Sequence, residues 1–406
     1  MKIEILHSGF DKLEVAFNGA LPGRLRAALE GAKQRAVSNV EAEQMNLGGF
    51  DVWVKEAGAK GGYAYVFTTE ESREMWAVKD NPDPGNWNLR CVVSSAALAV
   101  EGWDAVKGRL LDQLRAWNAK TTDISVSRID YAVDFKAPGW SVDPRRVICH
   151  RHCDIGEYSD GEAVADDDGM KVHWANRQVA SLTVGTMPGR QVIVYDKSRE
   201  VRASGKGLWH EIWGCVPDKS ERVWRVEVRA GKEHLTRAGI KNFDDIERAI
   251  GTVFAKAMHD IRLAVSPDFD NATRAAVDPV WMQVQGVVAE ANEASAGAVT
   301  WGRFIEGRRD EIATVYRQQL VGCAMGYAVT LGKSAMDTAR EIAAEIHEDI
   351  LTLWNEDEGR FKDKHSRASR RLKFLEPAST GKGSDNERYI RGSAVLWVPN
   401  PARNPA

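Results

Sequence analysis

The chain has 406 residues, of which 43% are apolar and 28% charged, and 55 Lys and Arg against 58 Asp and Glu leave a formal net charge of -3. That balance excludes a mainly disordered or collagen-like protein, and also one that coats nucleic acid through bulk positive charge. Any grip on a phosphate backbone must be a local patch. Five cysteines are an odd number and too few for a disulfide scaffold. Residues 1–17 carry Glu4, His7, Asp11 and Glu14, so no signal-peptide core can be drawn there. No stretch approaches the ~20 apolar residues that span a bilayer. The expectation is a reduced, cytoplasmic protein with no membrane partner.

The first third reads as short strands and two helices. Leu13, Val15 and Phe17 alternate with polar neighbours, the periodicity of a strand. Pro22 opens a stretch to about residue 36 rich in Ala, Leu, Arg and Lys, which predicts a helix. Residues 50–56 and 63–67 are β-rich and flank a Gly-containing turn, predicting a hairpin. Two more strands are expected at 75–79 and 89–94, across the turn-forming Asn81-Pro82-Asp83-Pro84-Gly85. Trp103, Val106, Leu110, Leu114 and Trp117 recur at spacings of three and four, so a helix buries that face.

The middle third holds strands with charged faces. Over 128–135, Ile129, Tyr131, Val133 and Phe135 share one face, and Arg128, Asp130, Ala132 and Asp134 share the other. Residues 154–169 are acidic and contain Gly, which reads as a solvated loop. Strands resume at 182–184 and 191–197, joined by a turn at Met187-Pro188-Gly189, and another covers 223–229. A helix is expected over 244–263, with Ile246, Ile250, Val253, Ala257 and Ile261 on one side. Pro267 and Pro279 bracket a loosely patterned stretch, and helices follow near 308–327 and 336–353. The divisions are 1–120, an N-terminal α+β region; 121–265, a catalytic region continuing the sheet; 266–298, a linker; 299–375, a helical C-terminal domain; and 376–406, a disordered tail rich in Gly, Ser, Pro and Asn. The fold class is α+β: an antiparallel sheet flanked by helices, then a smaller helical domain.

Two acids beside an arginine on a well-formed strand are costly unless solvated, paired or holding a cation. Taken alone, Arg128, Asp130 and Asp134 read most simply as ion pairs on the wet face of an antiparallel sheet. The strand 223–229 repeats the pattern, with Trp224, Val226 and Val228 on one side and Arg225, Glu227 and Arg229 on the other. If the two strands are neighbours ~4.8 Å apart, Glu227 meets Asp130 and Asp134 in a carboxylate cluster suited to a hard divalent ion. Cross-strand charge pairing is the competing reading. On the third strand Gln191, Ile193, Tyr195 and Lys197 share a face. A phenol of pKa ~10 attacks poorly unless a cation stabilises the phenolate. Lys197 lies two residues away, with Arg199, Arg202 and Lys206 beyond it, a patch suited to a nucleic-acid backbone.

In order, these strands are Arg128-Ile129-Asp130-Tyr131-Ala132-Val133-Asp134-Phe135, then Thr183-Val184-Gly185 with Gln191-Val192-Ile193-Val194-Tyr195-Asp196-Lys197, then Trp224-Arg225-Val226-Glu227. That succession resembles the replication initiation factors that start rolling-circle replication of plasmids and filamentous phages, over roughly residues 12–263. The resemblance implies an enzyme whose tyrosine, here Tyr195, attacks one DNA strand at an origin, leaving a 5′-phosphotyrosine link and a free 3′-hydroxyl. It implies a divalent metal ion, Mg²⁺ or Mn²⁺, held by Asp130 and Glu227 with Asp134 as third ligand. Lys197 and Arg225 would then be the cations that stabilise the transition state. Arg128, Arg190, Arg199 and Arg229 would contact double- and single-stranded origin DNA. The family often carries Arg immediately before the nucleophile; this chain has Val194 there, and its nearest upstream arginine is Arg190. A host helicase and a second copy of the chain are the further candidate partners. From a different class, a non-catalytic DNA-binding regulator on the same scaffold is the alternative.

Other features carry less. Cys149, His150, His152 and Cys153 are dense in soft ligands, but no second cysteine pair completes a zinc site and the stretch reads as a loop. No P-loop segment supports a motor. Trp209 and Trp213, near the basic stretch, suit core packing better than stacking on unpaired bases.

Overall fold

The computed structural model describes residues 2–149, 154–159, 169–175, 177–204, 207–218, 220–268, 271–272, 274–291 and 301–371. In chain order the elements are β1 (Glu4–Ala20), α1 (Gly23–Asn39), β2 (Glu43–Leu47), β3 (Phe50–Val54), β4 (Tyr65–Thr69), β5 (Glu74–Val78), β6 (Leu89–Val93), α2 (Ser95–Ala116) and β7 (Lys120–Lys136). There follow β8 (Val147–Ile148), β9 (Asp154–Ser159), β10 (Gly169–Ala175), β11 (Gln178–Gly185), β12 (Arg190–Asp196), α3 (Lys197–Ser204), α4 (Leu208–Trp213) and β13 (Val223–Gly231). The chain continues with α5 (Lys232–Arg237), α6 (Phe243–Asp260), β14 (Arg262–Leu263), α7 (Pro279–Ala289), α8 (Trp301–Thr330), α9 (Ala335–Glu356) and α10 (Glu358–Arg371). The fold is α+β.

Twelve strands form one sheet in the order β2-β3-β4-β5-β6-β1-β7-β13-β12-β11-β10-β9, antiparallel at every step except the last, β10 with β9. The centre is the long β1–β7 ribbon, paired from Glu4↔Lys136 to Ala20↔Lys120. Its alternation fills the core: Leu13, Val15 and Phe17 of β1 and Ile129, Tyr131, Val133 and Phe135 of β7 are buried in a single apolar cluster. Helices α2, α6 and α7 supply the other side of that cluster through residues such as Trp103, Leu110, Phe254 and Trp281. Near the β1–α1 end, Trp76 stacks on Phe17 at 5.6 Å and meets Trp117 edge-on at 5.0 Å. The Trp76 indole also donates to Gln113, so a large buried ring keeps its one polar atom satisfied.

The structure departs from the sequence expectations in several places. Residues 154–159, expected as loop, form β9; 160–168 lie outside the described residues. The expected helix 244–263 ends at Asp260 and turns into β14, which pairs with β8. The stretch 266–298 contains α7, whose Val280, Trp281, Val284 and Val288 are all buried in the main cluster. Asp278 caps this helix by accepting from the Val280 and Trp281 amides, and also takes Arg146 and the Trp140 indole. Trp281→Ala is therefore expected to cost about 3–5 kcal/mol, as for a large buried aromatic. Denaturant titration of the full chain checks this; a change below about 0.5 kcal/mol would mean that α7 adds nothing to the core.

Helices α8, α9 and α10 match the helical region expected after residue 299, and they leave Leu320, Met325 and Trp354 exposed. The expected tail lies outside the described residues, as do His150, His152 and Cys153. Among the described residues no helix is long and apolar enough to cross a membrane.

Candidate active site

The faces predicted from alternation are the faces observed. On β13, Trp224, Val226 and Val228 are in the apolar core, and Arg225, Glu227 and Arg229 point the other way. Registers bring three strands together: Tyr195 lies opposite Arg225, Arg225 opposite Asp134, and Arg229 opposite Asp130. The β11–β12 turn sets this register, and Gly185 enables it. Its φ is 89°, and a Cβ there would sit 2.2 Å from the Arg190 carbonyl oxygen, so the turn needs glycine.

The charged face is not wet. Helices α3 and α4 lie over it, and Asp134 is 0% exposed, Arg225 1%, Asp130 1% and Glu227 4%. The expectation of solvated ion pairs is thus corrected: the acids and arginines pair inside the protein. Between them remains a cleft of about 560 Å³ lined by Tyr195, Lys197, Asp130, Glu227, Arg225 and Arg229 among others.

Each of these residues is held by a definite element. Tyr195 ends β12. Asp196 accepts from the Arg199 amide and the Ser198 hydroxyl, which starts α3 and brings Lys197 into its first turn. Lys197 is therefore a helix residue rather than the last of a strand. Its ammonium sits 2.6 Å from Glu200, 5.6 Å from the centre of the Tyr195 ring and 4.7 Å from that of Trp209. Burial, and then the charge of Arg225, pull the Lys197 pKa below the ordinary lysine value. The Tyr195 hydroxyl makes no hydrogen bond to any described residue, and Tyr195 lines the cleft. Burial, with help from Glu227, Asp11 and Asp134, pushes the phenol well above its usual pKa, against the pull of Arg225.

The predicted acids divide into two groups. Asp130 and Glu227 come together. Arg128 forks onto Asp130 with contacts of 3.0, 3.0 and 2.5 Å, while Arg229 donates to Glu227 at 2.7 Å and lies 3.8 Å from Asp130. Burial, and then repulsion from Glu227, raise the Asp130 carboxyl to about 7 despite Arg128. Asp134 stands apart, with both oxygens engaged. Arg225 donates to them at 2.5 and 2.8 Å, and the Trp213 indole donates at 2.8 Å. Although burial pushes it up, the Arg225 charge holds the Asp134 pKa below the usual carboxylate value. The third ligand expected at Asp134 is thus an ion-pair partner of Arg225. Among the described residues no group of three or more His, Cys, Asp or Glu side chains is disposed to hold a metal ion.

The predicted arginines divide too. Arg128 and Arg229 line the cleft. Arg190 shares the parity of Val192 and Val194, so it faces the opposite side and bonds to Asp260 of α6 at 2.6 Å. Arg199 lies in α3 beyond the cleft lining.

Sequence reasoning missed Asp11 and the role of the two tryptophans. A register shift between Phe10 and Lys12 leaves Asp11 as a bulge residue of β1, and the bulge turns both Asp11 and Lys12 into the cleft. Asp11 accepts from Arg225 at 2.8 Å. Trp209 lies under the Arg225 guanidinium, 4.0 Å from ring centre to carbon. Trp213 fixes Asp134. Both rings pack in a small second apolar cluster with Val201 and Val223, as their core reading anticipated.

His7 meets Trp209 edge-on at 5.6 Å, and its Nε2 is buried with no hydrogen-bond partner. Burial lowers its pKa; Asp134 and Asp11 oppose that, and Arg225 and Lys197 add to it. A histidine with a depressed folded pKa binds fewer protons folded than unfolded. Its contribution is present above the unfolded value of ~6.5 and is lost as pH falls through the lower folded value. Melting temperature should therefore fall on acidification below about pH 6.5, and His7→Gln should flatten that part of the curve. A wild-type profile identical to that of the variant would rule out His7 as the cause.

No known family's sequence profile matches the chain, and no curated protein matches it. Among solved structures the chain is similar to a rolling-circle replication initiator protein from Geobacillus stearothermophilus, with 13% identity and a TM-score of 0.38 over 71% of this chain and 97% of that one.

Proposed function

We propose that the chain is a DNA strand nicking and joining enzyme that initiates rolling-circle replication, with Tyr195 as nucleophile. The observation that carries this reading is the shared cleft. A phenol whose hydroxyl has no partner among the described residues stands beside two adjoining acids and several cations, on strands that carry the three ordered motifs. The Tyr195 oxygen attacks phosphorus and the bond to the 3′-oxygen breaks. The phenolic proton is lost, the 3′-oxygen gains one, and the strand end remains as a 5′-phosphotyrosine ester. Because the ester conserves the phosphodiester's energy, a later 3′-hydroxyl can reverse the step and rejoin the strand.

Lys197, with its ammonium 5.6 Å from the centre of the Tyr195 ring, would supply positive charge where the phenolate and the crowded phosphate develop negative charge. Arg225 is already committed to Asp134 and Asp11, so it serves as a fixed charge beneath Tyr195 rather than as a phosphate ligand. Asp130 and Glu227 fit a site for Mg²⁺ or Mn²⁺. Such ions are commonly held by one or two carboxylates together with water and phosphate oxygens. Burial, and then the charge of Glu227, raise the Asp130 pKa, and a bound cation would offset both. A bound ion would polarise the phosphate and offset its charge.

The test is incubation with a supercoiled plasmid carrying the DNA that flanks the protein's own coding sequence, with and without Mn²⁺. A protein–DNA adduct stable to denaturant, formed with Mn²⁺ and absent with chelator, supports nicking. A gel shift with no cleavage would favour the non-catalytic regulator.

A further inference from the structure

The two acids that fit a cation are each already held by an arginine, and those arginines differ from the third in the cleft. Arg128 and Arg229 keep 20% and 28% of their side chains exposed, whereas Asp130 and Glu227 beneath them keep 1% and 5%. Arg225 keeps 1% and is clamped between Asp134, Asp11 and Trp209. One class of arginine is structural and cannot turn. The other lines the cleft, partly exposed, with its guanidinium held by an acid of the same face.

We propose that Arg128 and Arg229 are placeholders that neutralise Asp130 and Glu227 until a divalent cation takes the acids, and that they then turn onto DNA phosphates, so that cation and DNA bind cooperatively. This rests on the nicking reading of the same cleft. Charge requires the coupling. With both acids ionised, two buried carboxylates and two guanidiniums cancel in the free protein. A divalent ion alone on the acids leaves two positive charges unmatched in a poorly solvated cleft, and a DNA backbone alone finds its arginines engaged. Only both together restore neutrality, because the freed guanidiniums meet phosphates in the bidentate geometry they favour. The strand geometry permits the exchange. Arg128 and Asp130 are two residues apart on one face, as are Glu227 and Arg229, and Arg229 lies opposite Asp130 on the neighbouring strand. Each arginine can leave its acid by side-chain rotation while the backbone stays paired.

Titration calorimetry with Mn²⁺ alone, and with Mn²⁺ after saturation by a short mixed-sequence single strand, reads the coupling directly. In the wild type the single strand should tighten Mn²⁺ binding about tenfold, and by reciprocity Mn²⁺ should tighten the single strand equally. Arg128→Gln/Arg229→Gln should bind Mn²⁺ more tightly than wild type without DNA, bind DNA more weakly, and lose most of the coupling. Should the double variant fail to fold by circular dichroism, Arg229→Gln alone should show the same changes at smaller size. Mn²⁺ affinity unchanged or weaker in the variants, or unaffected by DNA in the wild type, overturns the proposal. Adduct formation by the wild type in the same solutions separates the two failures. An adduct with uncoupled Mn²⁺ sinks the placeholder role and leaves nicking intact, whereas neither adduct nor Mn²⁺ binding sinks both.

Discussion

Tyr195→Phe should abolish the covalent protein–DNA adduct, with nicking falling on the order of 10⁴-fold or more, the scale seen when a covalent nucleophile is removed. The substitution suits the question because it removes one atom from one place. The Tyr195 hydroxyl bonds to no described residue, so its loss leaves no buried donor or acceptor unpaired. The ring keeps its contact with the Lys197 ammonium, 5.6 Å from its centre. Stability should change by less than about 0.5 kcal/mol, and affinity for single-stranded DNA should persist. Denaturing gels read the adduct, fluorescence anisotropy the binding, and thermal melts the fold. An adduct that survives in the variant would remove Tyr195 from the chemistry altogether. The pH dependence has a definite sign as well. Burial and three nearby carboxylates raise the phenol's pKa, so the reactive phenolate becomes more abundant as pH rises. Wild-type nicking should therefore accelerate with pH for as long as the protein stays folded.

Much of this was legible in the sequence, and the losses have physical causes. Period-two alternation fixes which side of a strand a residue takes, so the charged faces of β7, β12 and β13 could be drawn from their residues alone. The same parity places Arg190 with Val192 and Val194 and away from Tyr195, a consequence the motif resemblance obscured. Cross-strand register is a different matter. Nothing local shows that Arg225 falls opposite Asp134 while Arg229 falls opposite Asp130, yet that pairing decides which acid is occupied and which two adjoin. Asp11 was hidden by a bulge, which breaks the alternation that would have placed it. Helix α7 was hidden by its flanking prolines, although Val280, Trp281, Val284 and Val288 follow helical spacing and Asp278-Pro279 is a helix start. Burial of the charged face depends on α3 and α4 folding back over it. That is tertiary information, and so a solvated face was the reasonable expectation from one strand alone.

Removing Arg225 should have the largest effect on stability of any substitution in the cleft. Arg225 is fully buried, forks onto Asp134, reaches Asp11, and covers the face of Trp209. Arg225→Ala leaves Asp134 fully buried with the Trp213 indole as its remaining donor, and a cavity above Trp209. Breaking a buried pair from one side costs about 3–5 kcal/mol, because the surviving charge keeps its desolvation penalty and loses its compensation. That is a large share of the 5–15 kcal/mol that holds a typical domain folded. The cost should also respond to pH. In the wild type the Asp134 pKa is depressed, so the stability it contributes is present above the unfolded value near 4 and is lost as pH falls through the folded value. In Arg225→Ala the depression disappears, burial dominates, and that acid-side loss should vanish with it. Arg225→Leu/Asp134→Leu tests whether the penalty is electrostatic. Deleting both charges removes the orphan, and the double variant should recover a large part of the stability lost in Arg225→Leu alone. Denaturant titrations of the variants decide the matter. If the losses of the single substitutions simply add in the double variant, packing rather than charge is what Arg225 supplies, and Asp134 is not held in place by its partner.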